Sequence, residues 1–143
     1  MWAAALLAAE RAHLHRLLLW GGASALVGAL LLLTVARPRR SPLIFHFAAQ
    51  SIAWGVVIAG IAATRLQSLA LRDLAAATWL DRSLWLNLGL DTGYVAVGTT
   101  VALSAWLLGR RYGGVGAGLA IVVQGLALAL LAARLLLVLE QFV

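Results

Sequence analysis

The sequence predicts an all-α integral membrane protein, a four-helix bundle with a short amphipathic helix at the membrane surface between the second and third spans. Three observations predict it. Of the 143 residues, 64% are hydrophobic and 11% charged, about half the charged share of an ordinary soluble domain. Four apolar stretches each reach the ~20 residues that a helix needs to cross a hydrocarbon layer ~30 Å thick. The arginines gather at the ends of those stretches. Spanning strands would alternate polar and apolar residues over about ten positions, and these runs do not. The whole chain, 1–143, reads as one transmembrane domain.

The first helix starts near Trp2, carries a polar band over residues 10–16 and runs apolar over 17–36. Arg37-Pro38-Arg39-Arg40-Ser41-Pro42 ends it, because each proline lacks a backbone donor and pushes the residue before it out of helix. The second span covers about 43–64 and closes at Arg65. Over 67–82, Leu69, Leu71, Leu74, Trp79 and Leu80 interleave with Arg72, Asp73 and Asp81, the pattern of a helix lying along the headgroups. The third span covers about 83–108. Gly109-Arg110-Arg111-Tyr112-Gly113-Gly114 then makes a tight turn, so the third and fourth helices are antiparallel neighbours. The fourth span covers about 115–139, with Arg134 near enough to its end to snorkel. Small residues four apart, Ser24 with Gly28, Gly89 with Gly93 and Gly114 with Gly118, provide for close helix contact in lipid.

All eleven basic residues are arginine, and the net charge is +6. That usage fits a GC-rich bacterial genome and fixes no biochemistry; the expected location is the inner (cytoplasmic) membrane, crossed several times. The arginines are not interleaved with aromatics, so the expected partner is the lipid bilayer and not nucleic acid. Five flank one face and five the other, a balance that the positive-inside rule does not break. The expected arrangement puts Arg37, Arg39, Arg40, Arg110 and Arg111 on the cytoplasmic side and both termini outside. Glu10, Arg11 and Arg16 precede the long apolar run, which argues against a cleaved leader. With no cysteine, disulfides and thiolate metal sites are excluded.

The polar residues inside the spans carry the functional reading. Counting ~1.5 Å per residue from the span ends, Asp91 lies roughly 12 Å deep, Tyr94 roughly 16 Å, Gln50 roughly 12 Å and Gln124 roughly 15 Å. Three helices therefore bring polar groups to one level. Asn87, Asp91, Tyr94 and Gly98 follow i, i+4, i+7, i+11 along one stripe of the third helix, and His46, Gln50 and Trp54 follow a second stripe four apart. A charged Asp at mid-bilayer costs about 2.5 to 3.5 kcal/mol on insertion scales, so Asp91 is expected to face the bundle interior.

Other motifs read as structure. Glu10 and His13 match the Glu-x-x-His pattern of di-iron bundles, which use it twice with further carboxylates; here it occurs once, so a surface-exposed charged band is expected. Haem ligation needs histidines at matched depth, and His46 lies toward the opposite face from His13 and His15. No nucleophile has a base beside it, and Gly113-Gly114-Val115-Gly116 lacks the Lys-Ser/Thr ending of a phosphate loop. No metal and no cofactor is expected, and an enzyme is the least favoured class.

Three segments, HFAAQSIAWG (46–55), NLGLDTGYVAVG (87–98) and GVGAGLAIVVQG (114–125), together resemble a bacterial family of small four-helix membrane proteins catalogued as a domain of unknown function. The resemblance implies the fold class and a bacterial origin. The expected function is a midplane polar pocket formed by Asp91, Gln50, Gln124, Tyr94, Asn87, Trp54 and His46, binding a small polar ligand or passing a proton or ion with Asp91 as the titrating carrier. The alternative is a non-catalytic structural or accessory subunit acting through helix contacts with a second copy or a larger membrane complex.

Overall fold

The computed structural model describes residues 2–35 and 41–142. The chain forms α1 (Trp2–Thr34), α2 (Pro42–Gln67), α3 (Leu74–Leu107) and α4 (Tyr112–Leu139), closed by a 3-10 turn (Glu140–Phe142). There is no strand among the described residues. The arginines expected in the first loop, Arg37, Arg39 and Arg40, lie outside the described residues.

Local chemistry sets the helix ends. Pro42 occupies the first turn of α2, where its missing N–H is one that would be unpaired in any case. The Ala76 N–H donates to Asp73 Oδ1 at 2.8 Å, capping α3. Between α3 and α4 the chain reverses through Gly109 (φ 110°) and Arg110 (φ 52°). There the Arg110 N–H donates to the Trp106 carbonyl at 2.9 Å and the Arg111 N–H to the Ala105 carbonyl at 2.8 Å. The Arg110 guanidinium lies 5.3 Å from the centre of the Trp106 ring.

The surface helix expected over 67–82 is absent. Residues 67–82 form no helix of their own: α2 runs on through Gln67, residues 68–73 are a loop, and Leu74 opens α3. The leucines and charges over 74–82 belong to the first turns of α3, because Asp73 starts the helix and no Pro or Gly interrupts it before Gly89.

The helices pack as two antiparallel hairpins, α1 on α2 and α3 on α4, joined mainly by α2 against α4. A seven-residue spacing runs through all four seams: Leu14, Gly21 and Gly28 on α1, Ala48, Gly55 and Ala62 on α2, Leu84, Asp91 and Gly98 on α3, and Gly118, Gly125 and Ala132 on α4, all buried. A heptad of this kind keeps one narrow stripe against the neighbouring helix. The small residues let backbones touch, since a Cβ on Gly55 would sit 2.5 Å from the Gly21 carbonyl, and one on Gly98 2.7 Å from the Gly118 carbonyl. In the pair expected on α3, by contrast, a methyl added at Gly89 or Gly93 would meet nothing within 4 Å, and both residues face outward.

By length and composition, α1, α2 and α4 are each able to cross a membrane. The longest helix, α3 at 34 residues, is less apolar because Asn87, Asp91, Thr92, Tyr94, Thr99, Thr100 and Ser104 dilute its leucines and valines. All four helices expose large apolar side chains, among them Leu26 and Leu30 on α1, Val56 and Ile61 on α2, Leu90 and Val97 on α3 and Leu126 and Leu130 on α4. So broad an apolar exterior is what a lipid-solvated surface looks like and is far beyond the patches of a soluble monomer.

Candidate functional site

Asp91 occupies a seam position, where its backbone is clamped: a Cβ on Gly125 of α4 would come within 2.8 Å of the Asp91 carbonyl. The residue is 7% exposed. Among the described residues, none forms a hydrogen bond or ion pair with its carboxylate, and the residue lines a cavity of about 230 Å³ that all four helices wall. A buried carboxylate normally finds donors. This one has no donor among the described residues and is reached from the cavity.

The cavity has two distinct ends. At the inner end Asp91 and Asn87 of α3 meet Trp54 of α2, whose ring is held edge-on against Tyr94 at 5.0 Å between centroids. The middle is aliphatic, with Leu17, Ile58, Leu84 and Leu128 each supplied by a different helix. At the outer end stand Glu10 and His13 of α1 and Arg65 of α2. Of the wall residues, Val57, Ile61, Arg65 and Asn87 are also exposed, so the cavity opens on the side between α2 and α3.

Glu10 is the second buried carboxylate, 5% exposed, and its situation is the reverse of Asp91's. Arg72, in the loop between α2 and α3, reaches it with both arms of the guanidinium: Nε donates to Oε2 at 2.8 Å and Nη2 to Oε1 at 2.6 Å. The two parallel bonds neutralise the Glu10 charge and tie the loop to α1. The hydrogen bonds to Glu10 raise the Arg72 pKa further above its already high value.

The other expected site residues are placed unevenly around this cavity. Asp91, Asn87 and Trp54 line it, and Tyr94 packs edge-on against Trp54 without lining it. Gln124, at 2% exposure, is occupied elsewhere: its Oε1 accepts from Trp20 Nε1 at 2.8 Å and its Nε2 donates to Ser24 Oγ at 3.2 Å, binding α4 to α1. Gln50 is half-buried and outside the wall. His46 lies at the far end of α2, where its ring packs on Gly113 so closely that a Cβ there would be 2.7 Å away. Neither glutamine lines the cavity with Asp91, whereas Asn87 and Trp54 do.

Glu10, His13 and Arg65 enter the site although sequence reasoning assigns Glu10 and His13 to an exposed band. Both are buried. A signal for it exists in the spacing, since Leu6, Glu10, His13, Leu14 and Leu17 recur at three and four residues and so share one helix face.

Residues 16–133 match the family of unknown function DUF6992. The chain belongs to this family. No curated protein and no solved structure matches it. The residues matched to DUF6992 take in Asp91, Asn87, Trp54, Arg65 and Arg72, while Glu10 and His13 precede them.

Proposed function

We propose that this DUF6992 protein is a four-span integral membrane protein that binds a small polar ligand in the cavity ending at Asp91. The observation that carries the reading is an acid at a packed helix seam that lines the cavity and has no described hydrogen-bond or ion-pair partner. Binding sites are concave, mostly apolar and equipped with a few placed polar groups, and intramembrane acids mark sites by default. The residues that line the cavity run from Arg65 to Asp91, an extent that supports a binding site.

The fourth crossing is α3. Exposed Trp85 and Trp106 are 21 residues apart, or roughly 32 Å along the helix. That distance suits aromatic belts at the two interfaces of one bilayer. The hydroxyls between them are satisfied inside the helix, with Thr92 donating to the Leu88 carbonyl and Thr99 to the Val95 carbonyl, both at 2.8 Å. Such residues can face lipid without an unpaired group.

Native mass spectrometry in nanodiscs, run on the wild type and on Asp91→Asn, tests the binding reading. The expected result is a bound small mass on the wild type that is lost from a variant of unchanged melting temperature. A wild type that carries no added mass, with a variant that only melts earlier, would leave Asp91 as a structural residue and overturn it.

A further inference from the structure

The two ends of the cavity differ in charge, and that difference selects a ligand. At the inner end stands one carboxylate, Asp91, with no cation and no donor among the described residues directed at it. The side chain beside it is the Trp54 indole, an aromatic face of the kind that attracts organic ammonium groups. At the outer end Glu10 is neutralised by Arg72, which leaves Arg65 as the uncompensated charge of the mouth: it is exposed and forms no ion pair with a described residue. Between the ends the wall is aliphatic.

Dimensions add shape to charge. Trp54 and Arg65 both line the cavity and are eleven residues apart on α2, roughly 16 Å of helix. A volume of about 230 Å³ drawn out over that length, with an aliphatic middle, suits an extended chain bearing a polar group at each end.

Resting on the cavity reading above, we infer that the ligand is a linear aliphatic zwitterion, bound with its ammonium on Asp91 beside Trp54 and its anionic group at Arg65. Each end of such a molecule supplies the charge that the protein lacks there. A carboxylate or phosphate alone would meet Asp91 with like charge, and a compound with two ammonium groups would meet Arg65.

Binding of 8-aminooctanoate, octylammonium, octanoate and octanamide to the purified protein in nanodiscs tests the inference by calorimetry. The expected order is 8-aminooctanoate first, octylammonium second, and octanoate and octanamide weakest. Asp91→Asn is expected to weaken 8-aminooctanoate about tenfold or more, the scale of losing one member of a buried charge pair. Arg65→Gln is expected to bring 8-aminooctanoate down to the level of octylammonium without changing octylammonium itself. Because Arg65 is exposed, that variant keeps the test alive should Asp91→Asn fail to fold. Octanoate bound as tightly as 8-aminooctanoate, or an Arg65→Gln protein that still prefers the zwitterion, would overturn the inference. Octanamide bound best, and lost in Asp91→Asn, would overturn the charge assignment while leaving the cavity reading in place; no binding of any probe, together with no copurifying mass, would remove both.

Discussion

Glu10 and Asp91 show how differently two carboxylates are handled in one apolar protein. Glu10 is locked by the two-armed contact from Arg72, so deleting the guanidinium strands a buried charge. Arg72→Gln is expected to lower stability by about 1–3 kcal/mol, less than a fully buried pair would lose because Arg72 is partly solvated. Replacing both members, with Glu10→Gln added, should recover most of that loss. Chemical denaturation of the single and double variants measures both effects, and a double variant as weak as Arg72→Gln alone would contradict the account. Gln124 makes a parallel case: Trp20→Phe removes the donor to its Oε1 and should cost about 1 kcal/mol in melting experiments, on the scale of an interhelical bond in lipid. Asp91 was legible from the chain, since an acid within a long apolar run has few places to go. Glu10 was not, because the partner that buries it is 62 positions away and a cluster of charges at a helix start looks solvated.

At the level of the helices, register is controlled by where side chains are missing. Gly98 and Gly118 face each other so closely that a methyl on either would come within 2.7 Å of the other's carbonyl, well inside contact. Gly98→Ala must therefore part α3 from α4, and a loss of about 1–3 kcal/mol is expected, the usual scale of overpacking. Gly93→Ala is the control. Nothing lies within 4 Å of that position, so the added methyl should stabilise α3 by about 0.5–1 kcal/mol through backbone entropy alone. Comparing their thermal melts separates packing from propensity, and equal effects would refute the seam. Spacing by fours along the chain pointed to Gly89 and Gly93, which the fold turns outward. The sevenfold spacing of Leu84, Asp91 and Gly98 is the one that packs, and it was present in the sequence throughout. What no single helix reveals is which of two glycine-bearing faces meets a partner. That choice depends on the neighbouring helix and on the turn through Gly109 and Arg110 that sets it in place.

For the molecule as a whole, the decisive matter is whether α3 passes through the bilayer or lies against it. Its composition is the least apolar of the four, yet it runs antiparallel along α4 with Gly98 and Asp91 packed on Gly118 and Gly125, a pairing that carries both ends of α3 to opposite ends of α4. If α4 spans, α3 must span with it. Residues 68–73 and residues 109–111 then lie on opposite sides of the membrane, a geometry independent of which side is cytoplasmic. The native chain has no cysteine, so single cysteines at exposed Ser68 and exposed Arg110 report their positions cleanly. In sealed vesicles of uniform orientation, a membrane-impermeant maleimide is expected to label one of the two from outside and the other only after permeabilisation. Labelling of both from the same side would mean that α3 does not cross, and the cavity would then have to form with one wall in the headgroup layer. Opposite labelling would put Asp91 within the hydrocarbon and Arg65 toward its edge, the arrangement under which a carboxylate without a partner most needs a ligand to complete it.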